Sequence, residues 1–210
     1  MYKTMHSHLL PLAFALLLAQ SSASAQSDVL VPPEEPLFGV AQSEWSIKWW
    51  QWAFSFERVR SPIADQTGEM CASRQSGDVW FLAGTYETAH VERTCTVPFG
   101  KVLFFPLINY VIFRGENSKE NCMLLGGRAA ALTNNATSLV LEVDGKQFGS
   151  LKSHRFGTTC FSLVAGQPAD AVANGYYVAL RPLAKGKHVV SFGGALPSTT
   201  QDVRYVIIVE

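Results

Sequence analysis

Two hydrophobic rhythms run along this chain, a helical one near its start and a pleated one over most of the rest. At about 100° per residue, Trp45, Trp49, Trp52 and Phe56 fall on one narrow stripe, and Ile47, Trp50 and Phe54 fall on a second, nearly opposite. Lys48, Gln51, Ser55 and Arg58 form a polar flank between them. The spacing predicts a Trp-rich helix, with Ser43 as N-cap and Glu44 at the first helical position, where a carboxylate suits the dipole. Ser61-Pro62 ends it, and Asp65-Gln66-Thr67-Gly68 reads as a turn.

From there the period shortens to two. Asp78 to Tyr86, bounded by Gly77 and Gly84, reads as a strand, and Val91 to Val97 as a second with only rough alternation. Pro98-Phe99-Gly100 turns into Lys101–Tyr110, whose near-continuous apolar run suits a strand covered on both faces. Cys122 to Leu132 predicts one further short helix despite Gly126-Gly127. Beyond Ser138 the pattern is antiparallel β. Leu139–Val143 ends in the hairpin turn Asp144-Gly145 and returns through Lys146-Gln147-Phe148. Tyr176–Pro182, His188–Phe192 and Val203–Val209 follow as strands, the last with Val203, Tyr205, Ile207 and Val209 on one face. The fold class expected is mainly β: an antiparallel β-sandwich or jelly-roll-like domain carrying the Trp-rich helix and one short helix.

The first 25 residues break both rhythms. Lys3, the apolar run Leu9–Ala19 and the small residues Ala23-Ser24-Ala25 have the layout of a cleaved signal peptide. The apolar run is too short to span a bilayer. Cleavage before Gln26 leaves 185 residues, 210 less the leader's 25. Residues 26–41, with Val31-Pro32-Pro33-Glu34-Glu35-Pro36, read as a Pro-rich linker, and 42–210 as a single β-rich domain. The expected location is secreted or periplasmic.

Removing Lys3 leaves 16 basic against 17 acidic side chains, a net charge of −1. That balance gives no electrostatic footprint for nucleic acid. The longest later apolar stretch, Val102–Phe113, is interrupted by Pro106, Asn109 and Tyr110 and is too short for a membrane span. Cys71, Cys95, Cys122 and Cys160 behind a signal peptide read as two disulfides with three connectivities open. Cys71–Cys95 with Cys122–Cys160 is favoured, because neighbouring partners require the least long-range ordering. A zinc site lacks both a C-x-x-C pair and a His at ligand spacing, so no metal or other cofactor is expected.

Several segments carry a resemblance. Trp49-Trp50-Gln51-Trp52, Thr67-Gly68, Cys71, Gln75 through Gly84 (reading QSGDVWFLAG) and Cys95 through Asn109 (reading CTVPFGKVLFFPLIN) make up the first part. The late segment from Gly175-Tyr176 through Lys185-Gly186-Lys187-His188, with Phe192-Gly193-Gly194, completes it. Together they resemble a family of small secreted bacterial proteins of unassigned function. The resemblance implies a bacterial exported domain, β-rich, with no catalytic residue to carry over. In such a host the sequon Asn135-Ala136-Thr137 has no meaning.

Candidate chemistry is sparse. His90, His154 and His188 are scattered, with no H-E-x-x-H and no G-x-S-x-G elbow. Asp65-Gln66-Thr67-Gly68 has one residue too many for an aspartic-protease loop and no second copy. A glycosidase pair could be drawn from Glu57, Asp65, Glu87 and Glu92, but their separation in space is not written in the sequence. The stripe of Ile47, Trp50 and Phe54 has two readings. It is core, which the energetics of buried aromatic rings favour, or it is a stacking platform for a ligand. The function expected is a disulfide-stabilised, non-enzymatic exported domain binding a ligand, glycan or protein partner. The alternative is a secreted hydrolase with its catalytic residues dispersed in loops.

Overall fold

A computed structural model of the chain describes residues 29–86, 89–115, 118–164 and 166–210. The leader expected over 1–25 and the candidate Glu87 lie outside the described residues. In chain order the elements are α1 (Gln42–Phe54), β1 (Val79–Phe81), β2 (Ala89–Val97), β3 (Val102–Phe113), α2 (Cys122–Thr133), β4 (Thr137–Val143), β5 (Lys146–Gln147), β6 (Arg155–Gly157), β7 (Ala171–Leu180), β8 (Gly186–Leu196) and β9 (Thr199–Val209). The strands form two sheets, ordered β1-β3-β7-β6 and β2-β9-β8-β4-β5. The sandwich-like, mainly β architecture is the one the alternation predicts.

The pairing, however, is mixed rather than wholly antiparallel. β1 runs parallel to β3, and β2 parallel to β9. The cause is topological: β2 intervenes between β1 and β3 in sequence but joins the other sheet, so β1 and β3 meet pointing the same way. The antiparallel pattern expected after Ser138 holds in β4·β5, β4·β8, β8·β9 and β6·β7. In the β4–β5 turn Asp144 and Gly145 both take left-handed backbone, φ 51° and 82°, as an Asp-Gly hairpin requires.

β3 is covered on both faces, as its apolar run implies. Leu103 and Phe105 join the core between the sheets, with Val178 and Leu180 of β7 and Val203, Tyr205, Ile207 and Val209 of β9. Val102 and Phe104 face the other way, into a second core with Tyr177, Ala179 and the tryptophans of α1. α1 therefore forms a third layer over the first sheet. Its indole N–H groups each reach an acceptor: Trp45 to Leu37 O, Trp49 to Leu82 O, Trp50 to Tyr177 Oη and Trp52 to Ser73 O. Four aromatic anchors with satisfied polar tips fix the helix. It begins one residue before the expected Ser43 cap, after Ala41, which makes no side-chain cap. Gln42 instead donates to Pro32 O and Glu35 O, 2.7 and 3.0 Å away. The described part of the expected linker is thereby an arm packed on the domain. Leu30 bridges to Leu180, and Val31 and Leu37 are buried.

α2 begins at Cys122, as predicted. Asn121 caps it, its side chain accepting from Leu124 N–H. Leu125 and Ala129 pack on Ile112 and Val172 at one end of the sandwich. Both disulfides have the favoured pairing, Cys71–Cys95 and Cys122–Cys160. No helix among the described residues is long and apolar enough to cross a membrane.

Arg93 explains the rough alternation of β2. It occupies the inward phase with Val91, Cys95 and Val97, and it is 2% exposed. Its Nε donates to Asp65 O, its Nη1 to Ala83 O, Gly84 O and Tyr205 Oη, and its Nη2 to Ile63 O. One desolvated cation thus ties the 63–65 and 83–84 loops to β9. Its solvation has been replaced by fixed carbonyl dipoles. Burial raises the pKa of the Tyr205 phenol, although the Arg93 charge opposes the shift. Arg93→Leu strands these carbonyls, so urea unfolding should show a loss of about 3 kcal/mol or more. Arg93→Lys, with three donors and no fork, should recover only part of it.

Candidate functional site

β3 does not run straight. Proline lacks a ladder donor and is confined within sheets to edges and bulges. Pro106 lies two residues past Phe104, the last residue of β3 paired with β1, so only β7 flanks it, and the register with β7 shifts between Pro106 and Ile108. The freed carbonyls of Pro106 and Leu107 accept from Gln201 Nε2 at 2.8 and 2.9 Å. The same side chain's Oε1 accepts the Thr85 N–H at 3.2 Å. One buried amide therefore joins β9, the β3 bulge and the loop after β1. The approach is close: a Cβ on Gly84 would lie 2.0 Å from Gln201 Oε1.

Beyond the bulge a cleft of about 510 Å³ opens between α1, β3, the 84–86 loop and the β8–β9 connection. The α1 wall is Trp49, Trp50 and Phe54. Trp50 is only 7% exposed; its ring meets Trp49 edge-on, with centroids 5.0 Å apart, and leans on Phe54 at 5.6 Å. Phe54 is 39% exposed and meets Phe113 edge-on at 5.5 Å. Of the three stripe residues, Trp50 and Phe54 line the cleft. Ile47 does not, and it packs half-buried against the helix-side core. Both stripes of α1 contribute to that core through Trp49, Trp52 and Trp50, as the interior reading expects.

Asn109 stands on the β3 wall, its Nδ2 donating to Tyr177 Oη at 3.1 Å. Trp50 Nε1 donates to the same hydroxyl at 2.8 Å. Tyr177 is wholly buried, and burial drives its pKa far above that of an ordinary phenol, against the pull of these two donors. It stays neutral and fixes Trp50 and Asn109 in place. Asn109 needs glycine opposite, since a Cβ on Gly175 would come within 2.5 Å of its own Cβ. The 84–86 wall carries Tyr86, with the Arg58 guanidinium 4.2 Å from its ring centre. Thr199 and Gln201 close the far side. The described lining therefore offers aromatic faces, amides, hydroxyls and one guanidinium, and contains no His, Cys, Asp or Glu.

None of the other candidates lines the cleft, and His90 and Glu92 lie together, 3.7 Å apart. Asp65 accepts from Thr67 N–H, Thr67 Oγ1 and Met70 N–H, as a turn-capping carboxylate. Burial opposes its charge, but these donors prevail and lower its pKa. Glu57 is exposed, and Glu92 faces solvent beside Arg204 and His90. His90 is paired with Asp202, whose carboxylate raises its pKa. His154 is buried, and desolvation lowers its pKa against a small opposing effect of Glu34. His188 lies between Asp144 and Ala184 O. Among the described residues no group of three or more His, Cys, Asp or Glu could hold a metal.

Asn109, Tyr110, Thr199 and Gln201 are cleft residues that periodicity does not find. Pro106 within a buried run was the available signal for the bulge, and a lone Asn three residues later the signal for a polar wall.

No protein-family model matches the chain, and no curated protein matches it. The solution structure of Amebosin aligns with 58% of this chain and 99% of its own length, at 8% identity and a TM-score of 0.20. That similarity carries no argument about fold or function.

Two outcomes follow from the geometry. Trp50→Ala, by emptying a buried indole site, should destabilise the protein by about 3–5 kcal/mol in denaturant unfolding. Phe54→Ala, at a half-open position, should cost about 1 kcal/mol or less. The second outcome concerns His188. Burial lowers its pKa, yet the Asp144 carboxylate and Ala184 carbonyl outweigh burial and raise it above 6.5. The pair's stabilisation is therefore complete below pH 6.5 and is lost as pH rises through the raised value. The melting-temperature gap between wild type and Asp144→Asn should shrink between about pH 6 and about pH 9.

Proposed function

We propose that this chain is an exported, non-enzymatic binding domain whose cleft takes a small uncharged ligand with one apolar face and hydroxyl edges, the chemistry of a sugar unit in a glycan. Export rests on the signal-peptide layout of residues 1–25 and on the resemblance to small secreted bacterial proteins. The two disulfides are compatible with a secreted or periplasmic location.

The observation that carries the reading is the composition of the cleft. Phe54, Tyr110 and Phe113 are aromatic side chains left 38–42% exposed along its lining, beside the amide of Asn109 and the hydroxyls of Thr199 and Tyr86. Half-open rings suit stacking on the apolar face of a sugar, and neutral amides and hydroxyls suit its edges. The cleft's size fits a small ligand rather than a protein surface. A hydrolase would require a general base or a nucleophile–base pair, and the described lining supplies neither.

The reading is tested by calorimetry and an immobilised panel of neutral oligosaccharides. The wild-type chain should retain at least one of them. Phe54→Ala and Tyr110→Ala should keep the wild-type circular dichroism yet weaken retention by about tenfold, the loss of one stacked ring at 1–1.5 kcal/mol. Absence of any neutral oligosaccharide binding, or variants that bind like wild type, would remove the sugar assignment.

A further inference from the structure

The two disulfides sit in opposite environments. Cys71 and Cys95 are 8% and 1% exposed within the core between the sheets. Cys122 and Cys160 are only partly buried. The Arg114 guanidinium lies against this second bridge, its Nη2 directed at Cys122 Sγ at 3.5 Å and at Cys160 Sγ at 3.6 Å. Arg114 Nε is buried and has no hydrogen-bond partner among the described residues. A cation held against a disulfide gives the neutral bridge little and a thiolate a great deal. Cys122 also opens the twelve-residue helix α2, whose first-turn N–H groups favour a negative sulfur.

We propose that Cys122–Cys160 is a thiol–disulfide exchange site that accepts electrons from a dithiol reductant, while Cys71–Cys95 is a permanent staple. The reductant's thiolate attacks Cys160 Sγ; the Sγ–Sγ bond breaks and its electron pair leaves on Cys122 Sγ, beside Arg114 and the helix N-terminus. The reductant's second thiolate then attacks the mixed disulfide and expels Cys160. The reductant ends as its own disulfide, two electrons have entered the protein, and its two protons pass to the two cysteines or to water. Opening the bridge releases the start of α2 from the segment before β7, whose Ser162 O is also held by Gln51 of α1. The site is independent of the cleft ligand.

The folded full chain is equilibrated with graded dithiothreitol, quenched with an alkylating agent and mapped by mass spectrometry. Cys122 and Cys160 should become alkylated at a dithiothreitol concentration about tenfold or more below that needed for Cys71 and Cys95, with β-sheet circular dichroism unchanged. Concerted opening of both bridges, or earlier opening of Cys71–Cys95, overturns the proposal. Arg114→Gln supplies a test of sign. If Arg114 stabilises the leaving thiolate, the variant needs more reductant; if Arg114 only supports the local structure, it needs less. Arg114→Lys should fall between Arg114→Gln and wild type. An Arg114→Gln bridge that opens more readily would contradict the mechanism, and the wild-type comparison stands even where that variant fails to fold.

Discussion

β1 stops pairing with β3 at Phe104 and the register with β7 slips just after, at Pro106, and the architecture around the cleft follows from how the carbonyls left there are satisfied. Pro106, which has no N–H to give a ladder, sits at the bulge in β3, and buried carbonyls left outside a ladder must find donors. Gln201 supplies them from the opposite sheet, and its remaining oxygen takes the Thr85 N–H. The bulge turns Asn109 toward α1, and the Thr85 contact brings the 84–86 loop to the cleft's edge. Arg93 reinforces the same loop from beneath through Ala83 O and Gly84 O. Two polar side chains buried where apolar ones would be expected thus hold two walls of one cavity.

The aromatic helix completes it. α1 is attached through rings whose N–H groups all reach acceptors, and this removes the usual conflict between burying tryptophan and satisfying its polar tip. Tyr177 links the helix to the site, since its hydroxyl accepts from both Trp50 and Asn109. Stability and site geometry therefore share parts. Trp50 is a structural member whose edge lines the cleft, and the residues available to a ligand are the half-open ones, Phe54 and Tyr110.

Much of the fold was legible because period-two alternation and turn chemistry are local. The Asp144-Gly145 hairpin, the inward face of β9, the doubly covered β3 and the start of α2 at Cys122 could all be read along the chain. Strand neighbours are not local, and so the parallel edges β1·β3 and β2·β9 were hidden. Arg93 blurred the alternation of β2 because a cation in the apolar phase looks like an error until its carbonyl partners, distant in sequence, are assembled. The Pro-rich stretch looked like a free linker because extended backbone has no period to betray its docking on Leu180. The site was half legible: Trp50 and Phe54 came from the helical stripe, whereas Asn109 and Gln201 depend on a bulge whose consequences are three-dimensional.

The cleft is preformed, its loop wall fixed by the Gln201 amide. Native-state hydrogen exchange at the Thr85 amide reads that contact directly. This N–H should exchange as slowly as the core amides of β8 and β9, opening only with the whole domain. Exchange near the rate of an unprotected amide would mean that the wall moves freely and that the cavity is not a built site.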